Sequence, residues 1–145
     1  MTASHPGPGS PPPGDPALEA HACDAQRRAY APYSKFQVGA AVRMVGGEIF
    51  DGINVENASY GLSVCAERIA VFAAVNAGAR QLAAVAVCTE ASPPASPCGA
   101  CRQVLLEFAP DPAAVTVTAV NPRGERRSWT LAELLPDGFS GRELP

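Results

Sequence analysis

The sequence predicts an α/β protein, a three-layer α/β/α sandwich with a mixed five-stranded sheet. Helix and strand patterns alternate along the chain, an order typical of three-layer α/β domains. Residues 82–89 and 115–120 are short, continuous apolar runs, the pattern of strands buried on both faces. The length of 145 residues fits one domain, because a chain of this size can bury most of the surface that its unfolded form exposes.

The first residues are predicted to be disordered. Residues 1–14 consist largely of Pro, Gly and Ser, and such a segment buries too little apolar surface to offset its conformational entropy. The folded domain is therefore predicted to span residues 15–145. Asp15 followed by Pro16 indicates a helix start, with Asp15 as the N-cap, and this helix is expected to run to about Tyr30.

Alternation, turn residues and capping residues predict the other elements. Residues 36–45 and 48–55 are predicted to be two strands joined by a turn at Gly46-Gly47. A helix capped by Ser63 and ended by Gly78 is expected to follow. Beyond the strand at 82–89 we predict a helix over 98–108, the strand at 115–120, a strand over 125–129, and a last helical turn opened by the capping box Thr130-Leu131-Ala132-Glu133.

Composition argues against two classes of partner. The net charge is −3 at pH 7, whereas a protein that follows nucleic-acid phosphates usually carries a basic stripe. The adjacent basic pairs, Arg27-Arg28 and Arg126-Arg127, are interpreted as solvated faces, so no nucleic acid is expected. No apolar run approaches the ~20 residues of a membrane helix, so no membrane partner is expected either.

The cysteine pattern predicts a metal site. Five cysteines, an odd number, occur without a secretory signal, which predicts a reducing cytoplasm and no disulfides. Cys98 and Cys101 are three apart at one predicted helix start, which places both sulfurs on one face, and Cys65 lies at another helix start. Positive helix ends favour thiolates. Three thiolates converging between two helix ends predict a zinc ion, which prefers such soft ligands.

The donor set indicates a catalytic zinc ion, one per chain. A structural site usually has four protein ligands, whereas a catalytic site keeps a position open for water, and no fourth ligand stands at motif spacing. Glu67 is close enough to exchange protons with that water without ligating the metal. Alone, the Cys-x-x-Cys pair could also be interpreted as a redox pair or as half of a structural zinc knuckle. The motif Cys65-Ala66-Glu67 on a preceding helix argues against both interpretations. Cys23 and Cys88 are predicted to be buried and inert.

Several longer motifs surround these residues. They are Ala31-Pro32-Tyr33-Ser34, Phe36-Gln37-Val38-Gly39-Ala40-Ala41, Asn54-Val55-Glu56-Asn57-Ala58-Ser59-Tyr60, Cys65-Ala66-Glu67-Arg68, Pro97-Cys98-Gly99-Ala100-Cys101-Arg102-Gln103 and Glu133-Leu134-Leu135-Pro136. From about residue 20 to 140 the sequence resembles the small homotetrameric zinc-dependent cytidine deaminases, of the cytidine/deoxycytidylate deaminase superfamily. The resemblance implies a cytidine deaminase-like fold.

The resemblance also implies roles around the metal. The three motif cysteines match the zinc ligands, and Glu67 matches the residue that moves protons. Three thiolates and Zn²⁺ leave a net charge of −1. Arg68 matches the family residue whose guanidinium offsets this charge near a ligating sulfur, and Arg102 is expected to share that role. A surface salt bridge is the alternative for Arg68.

For the substrate, the resemblance implies ribose and pyrimidine contacts. Asn54 and Glu56 match residues that hydrogen-bond ribose hydroxyls, while a turn residue and a surface ion pair are their alternatives on sequence alone. Phe36 matches an aromatic wall beside the pyrimidine, with a core position as its alternative. Ala58, Tyr60 and the C-terminal Phe139 match residues that reach a neighbouring subunit's site. The substrate-binding residues predicted are Phe36, Asn54, Val55, Glu56, Asn57, Ala58, Ser59, Tyr60, Ala66 and Phe139.

The expected function is the hydrolytic deamination of cytidine and deoxycytidine in pyrimidine salvage, by a homotetramer with shared active sites. Two alternatives are kept. A deaminase of nucleoside antibiotics of the blasticidin-S type is similar around the zinc motifs but lacks the segment Asn54-Val55-Glu56-Asn57. A non-catalytic, zinc-stabilised oligomeric module would have no use for Glu67.

Overall fold

The computed structural model describes residues 14–145. The predicted disordered segment 1–14 therefore lies outside the described residues, apart from Gly14, and the boundaries of the domain stay a prediction. Within the described part of the chain, no helix is long and apolar enough to cross a membrane.

Five strands form one mixed sheet, as the sequence predicts. They are β1 (Gly39–Met44), β2 (Ile49–Ile53), β3 (Leu82–Cys88), β4 (Thr116–Val120) and β5 (Arg126–Thr130). Their order is β2-β1-β3-β4-β5. β3 and β4 run parallel, with Val85 opposite Val117, and the other neighbouring strands run antiparallel.

Helices cover both faces of the sheet, which confirms the three layers. Helix α1 (Pro16–Gln26) packs mainly on β1 and β3, and α2 (Ala66–Asn76) packs mainly on β2 and β1. Helix α3 (Gly99–Glu107) lies beside α2, and the short α4 (Leu131–Leu134) follows β5 directly. The two helices α2 and α3 share one face, so their N-termini can meet at one end of the sheet.

Alternate residues of β1 face two separate cores, as the period of a strand requires. Ala40, Val42 and Met44 belong to the core beneath α2 and α3, whereas Ala41 packs with Leu18 in the core beneath α1. The core beneath α2 and α3 contains more large side chains. The sheet is therefore buried on both faces near its centre, in line with the apolar runs of the sequence.

Two glycines allow helices to approach the sheet closely. A Cβ atom on Gly39 in β1 would overlap the backbone of Ala22 and Gln26 in α1. A Cβ atom on Gly52 in β2 would overlap the carbonyl oxygen of Ala66, the first residue of α2. Because Ala66 precedes Glu67, this second contact sets how close the functional end of α2 lies to the sheet.

The ends of α1 and of the first hairpin differ from the prediction by a few residues. α1 ends at Gln26, because Tyr30 donates its N–H to Asn54 O (3.0 Å) and accepts from Glu56 N–H (3.0 Å). Residues 36–38 precede β1, and residues 54–55 follow β2. Tertiary hydrogen bonds thus replace the helix and strand continuations that local patterns favour.

The start of α2 also differs from the prediction. Cys65, and not Ser63, is the N-cap of α2, because Ser63 Oγ accepts a hydrogen bond from Asn57 N–H (3.1 Å) in the preceding loop. The predicted capping box of α4 is confirmed, with Thr130 Oγ1 accepting from Glu133 N–H (3.2 Å).

Candidate active site

The three motif cysteines meet where the N-termini of α2 and α3 converge. Cys65 is the N-cap of α2, Cys98 is the N-cap of α3, and Cys101 lies in the first turn of α3. The Cys65 and Cys98 sulfurs are 3.8 Å apart, the Cys98 and Cys101 sulfurs 3.5 Å apart, and all three lie within 4.8 Å of one another. The predicted convergence of the sulfurs is therefore present.

The sulfur spacing fits a zinc ion. Two sulfurs that each lie about 2.3 Å from a tetrahedral zinc are about 3.8 Å apart, close to the separations of the three sulfurs here. Three thiols this close cannot all ionise without a cation, because each thiolate opposes the next. Soft sulfur donors at helix N-termini favour zinc over the hard cations magnesium and calcium.

The electrostatics of the cluster centre on Cys65. Hydrogen bonds from the Cys101 thiol, and also from Arg68 and Cys98, lower the pKa of Cys65 to about 5, although its partial burial acts in the opposite direction. The same contact with Cys65, together with burial, raises the pKa of Cys101. Arg68 Nη2 lies 3.4 Å from Cys65 Sγ, so its guanidinium occupies the position expected for a group that offsets thiolate charge.

Glu67 is buried beside these sulfurs. Its side chain lies in the first turn of α2 and is only 4% exposed. Burial, and to a lesser degree the charge of Cys65, raises the pKa of Glu67 to about 7. A carboxyl group with a pKa near neutrality can both accept and release a proton under physiological conditions.

A cavity of about 340 Å³ opens onto Glu67 and the sulfurs, within the size range of small-molecule sites. Ser34, Phe36, Val38, Asn54, Glu56, Ser63, Val64, Cys65, Ala66, Glu67, Val87, Thr89, Ala95, Ser96 and Cys98 form its wall. Five of the predicted site residues, Phe36, Asn54, Glu56, Ala66 and Glu67, thus line the cavity together with two of the predicted ligands, Cys65 and Cys98. The wall combines polar and charged side chains with apolar ones.

The Asn54 amide holds the segment that carries Phe36. Asn54 Oδ1 accepts from Val38 N–H (2.9 Å), and Asn54 Nδ2 donates to Phe36 O (2.9 Å). Phe36 itself lines the cavity and is 42% exposed, so the alternative of a core position is wrong. A side-chain amide has two N–H donors and two acceptor lone pairs. Because these two bonds use one of each, Asn54 keeps one N–H and one lone pair for a ligand.

The Glu56 carboxylate holds the loop before Phe36. Oε1 accepts from Tyr33 N–H (3.0 Å) and Ser34 N–H (3.1 Å), and Oε2 accepts from the Ser34 hydroxyl. The Ser34 hydroxyl, with help from the backbone N–H groups and Lys35, lowers the pKa of Glu56. The carboxylate therefore lies ionised on the cavity wall, where it can accept further hydrogen bonds.

Several predicted residues lie away from this cavity. Its wall, as formed by residues 14–145, excludes Val55, Asn57, Ala58, Ser59, Tyr60 and Phe139. Val55 forms backbone bridges to Tyr30 and Val64. Tyr60 is 76% exposed and lines an adjoining cavity with Ser34, Glu56 and Ser63, and Phe139 is 58% exposed.

Arg102 does not take the expected position near a sulfur. Its guanidinium donates to Pro97 O (2.7 Å), Leu134 O (2.8 Å) and Ser96 Oγ (2.9 Å). These backbone and hydroxyl acceptors draw it away from the thiolates, because three good acceptors outweigh a weak sulfur acceptor. Arg102 instead ties the residues before Cys98 to the end of α4.

Eight residues of the cavity wall were not predicted as site residues: Ser34, Val38, Ser63, Val64, Val87, Thr89, Ala95 and Ser96. The period of two along β3 could have identified Thr89, because Thr89 follows Val87 by two residues, whereas Ser34 lies before β1 in a turn that has no strand period. Ala95 and Ser96 lie in an irregular loop, which carries no periodic signal. Of the remaining cysteines, Cys88 is buried and Cys23 is half-buried.

Residues 15–118 match the model of the family described as "Cytidine and deoxycytidylate deaminase zinc-binding region". Among curated proteins, the cytidine deaminase of Halalkalibacterium halodurans is 46% identical over 123 residues, which cover 85% of this chain and 92% of the relative. The cytidine deaminase of Sporosarcina psychrophila is 46% identical over 127 residues, 88% of this chain and 92% of the relative.

Solved structures agree with these matches. The crystal structure of cytidine deaminase from Burkholderia pseudomallei superposes with a TM-score of 0.82 at 48% identity, covering 87% of this chain and 99% of that one. Cytidine deaminase from Mycobacterium tuberculosis superposes with a TM-score of 0.73 at 40% identity, covering 86% of this chain and 95% of that one.

Proposed function

The chain belongs to the cytidine and deoxycytidylate deaminase family, and on that premise we propose that it hydrolyses cytidine and deoxycytidine to uridine and deoxyuridine with release of ammonia. One observation carries the proposal: the buried carboxyl group of Glu67 lies beside three converging sulfurs, in the wall of a cavity of suitable size. A purely structural metal site gives no reason to bury a carboxyl group there.

One zinc ion binds per chain. We propose that Cys65, Cys98 and Cys101 hold it. When bound, zinc supplies Lewis acidity that lowers the pKa of water toward neutrality. Arg68 offsets part of the thiolate charge through its contact with Cys65 Sγ, which keeps the metal electrophilic.

Glu67 carries the protons of the reaction in this proposal. Its carboxylate accepts a proton from the attacking water and donates it to N3 of cytosine as the bond to C4 forms. It then takes the remaining proton from the hydroxyl group on C4, which becomes the carbonyl of uracil, and delivers that proton to the departing amine, which leaves as ammonia. Because burial raises the pKa of Glu67 to about 7, the same group can serve as base and acid in turn.

The open side of the cavity recognises the rest of the nucleoside. Phe36 packs beside the pyrimidine ring, and Ala66 offers a first-turn N–H that has no partner within the helix. Asn54 and Glu56 bind the ribose hydroxyls with the hydrogen-bonding capacity that the loop contacts leave free. Discrimination against free cytosine follows, since a polar site loses its partners when the sugar is missing.

The active protein is a homotetramer whose neighbouring subunits complete each other's sites through residues 54–60 and Phe139. Exposed apolar side chains on the cavity side support this part of the proposal, with Tyr60 76% and Leu62 66% exposed. Sedimentation equilibrium tests it, and a fully active monomer is the result that would refute it. The protein acts on free nucleosides in pyrimidine salvage in the cytoplasm, without nucleic-acid or membrane partners.

An ultraviolet assay of the purified protein tests the function. Cytidine and deoxycytidine should be turned over, and cytosine, CMP, adenosine and blasticidin S should be poor substrates. Preferential turnover of blasticidin S would favour the antibiotic-deaminase alternative. No turnover of any compound by zinc-loaded protein would favour the non-catalytic zinc module.

A further inference from the structure

The loop before Phe36 contains a residue in an unfavourable backbone conformation. Lys35 has φ 62°, the left-handed region that a side chain with a Cβ atom adopts only at a cost. This conformation turns the chain between Ser34 and Phe36, both of which line the cavity. Something outside Lys35 must stabilise the turn for Phe36 to stay in the wall.

Ser34 supplies the bonds that span this turn. Its hydroxyl oxygen accepts from Phe36 N–H (3.0 Å), so one hydrogen bond bridges Lys35 directly. The same hydroxyl donates to Glu56 Oε2. Because one oxygen acts as acceptor for Phe36 and donor to Glu56, a continuous chain of hydrogen bonds connects the carboxylate with the backbone of Phe36.

The other side of Phe36 is held by Asn54. The Asn54 amide pairs with Phe36 O and Val38 N–H, whereas Ser34 is the side chain that receives Phe36 N–H. The backbone of Phe36 is therefore fastened on both sides to residues of the segment after β2. Loss of the Ser34 hydroxyl would release one of these two sides only.

We propose that Ser34 is a positioning residue for the pyrimidine wall: its hydroxyl transmits the fixed position of Glu56 to Phe36 across the left-handed turn at Lys35. This inference rests on the proposed nucleoside deamination. In this proposal Ser34 affects binding of the pyrimidine base by positioning Phe36, and Ser34 does not need to contact the sugar.

The test compares two substrates in Ser34→Ala, namely cytidine and 2′,3′-dideoxycytidine, which lacks the 2′- and 3′-hydroxyl groups and whose weaker turnover is measured with more enzyme. A residue that acts through Phe36 should lower kcat/KM about tenfold for both substrates, through KM, with kcat within about twofold of the parent and zinc content unchanged. If only cytidine is affected, Ser34 serves the sugar and the proposal is wrong. Unchanged kinetics with both substrates would overturn it as well.

The chain offers a matched control. Ser92 Oγ donates to Glu125 Oε2 (2.9 Å), another serine–glutamate bond at the surface, and neither residue lines the cavity described above. Ser92→Ala should leave kcat/KM for both substrates within about twofold. An equal loss in Ser92→Ala and Ser34→Ala would mean that any broken bond of this kind weakens the enzyme, which contradicts the proposal.

A second pair of variants keeps the proposal testable if Ser34→Ala folds poorly. Ser34→Thr and Ser34→Val have nearly the same shape but differ in the hydroxyl, so Thr should keep most of the kcat/KM that Val loses. Equal values would overturn the proposal. Failure of the proposed function is recognised separately, because the parent protein would then fail to deaminate cytidine before any variant is compared.

Discussion

The two ends of the cavity are built in different ways. The metal end (Cys65, Glu67, Cys98 and Cys101) lies on the first residues of two helices that are packed against the sheet. The sugar end (Ser34, Asn54 and Glu56) lies outside the regular elements and depends on side-chain hydrogen bonds between two loops. In the proposed function the catalytic residues are thus supported by helices, whereas the substrate-binding residues are supported by hydrogen bonds between loops.

The difference explains how each end can fail. In the proposed function each side chain at the metal end has a separate chemical task, so one substitution removes a ligand or a proton carrier outright. At the sugar end the same side chains bind each other, so one substitution weakens several contacts by a moderate amount. This contrast predicts effects that decrease in size from the metal ligands to the scaffold.

Removing a sulfur should have the largest effect. Cys98→Ala is expected to lose the zinc ion and nearly all activity, because two sulfurs no longer enclose the metal. Metal analysis of the purified variant measures this directly. Cys23→Ala, which removes a half-buried cysteine outside the cluster, is the control and should keep its zinc. Full zinc occupancy in Cys98→Ala would contradict the assigned ligand set.

Glu67→Gln should separate chemistry from metal binding. The amide keeps the size of the side chain but cannot carry a proton, so we expect native assembly, full zinc content and a loss of at least ~10³-fold in turnover. Glu107→Gln, an exposed position on α3, should keep parental turnover. Cytidine deamination within tenfold of the parent, in a zinc-loaded Glu67→Gln protein, would refute the proton-transfer role.

Glu56→Ala should produce an intermediate loss at the sugar end. It removes an acceptor for the ribose and the acceptor for three donors of residues 33–34, so kcat/KM for cytidine should fall about 10²-fold. Zinc content should stay at the parental level, because the metal end has its own support. Glu125→Ala is the matched control. Loss of zinc in Glu56→Ala would show that the two ends are not independent.

The smallest effect is expected in the scaffold, far from both ends. Asp15 caps α1 and accepts two hydrogen bonds from Arg43, which lower the pKa of Asp15 below its usual 3.8. A lowered pKa in the folded state stabilises the protein above the unfolded-state pKa, and this stability is lost as the pH falls through the folded-state value. Asp15→Asn keeps a capping oxygen and should cost about 1 kcal/mol at neutral pH.

Denaturant titrations across pH measure this last effect. The difference in unfolding free energy between parent and Asp15→Asn should be constant between pH 5 and about pH 7 and should shrink below about pH 4. Activity at neutral pH should be unchanged. A difference that grows as the pH falls would contradict the assigned role of the carboxylate.

Local patterns in the sequence were sufficient for most of the fold. The apolar runs at 82–89 and 115–120 became β3 and β4, and the capping box at Thr130 opens α4. The errors lie where a tertiary contact competes with local preference. Tyr30 pairs with the segment after β2 instead of extending α1. The two segments are distant in sequence, and neither contains a pattern that predicts this pairing.

The metal end could be predicted from sequence because its residues occur in pairs that are close together along the chain. Cys98 and Cys101 share a helical turn, and Cys65 and Glu67 lie at the start of one helix, so spacing alone relates the members of each pair. Only the tertiary structure brings the two helix starts together. It does so through packing of α2 and α3 on one face of the sheet, including the close contact at Gly52.

The sugar end was decided by the tertiary structure. The sequence by itself determined that an amide, a carboxylate and an aromatic side chain are present at 54, 56 and 36. It did not determine that Ser34 joins two of them, or that Arg102 turns away from the sulfurs to three other acceptors. Hydrogen bonds between side chains from distant segments leave no periodic pattern along the chain, so they can be identified only in the folded structure.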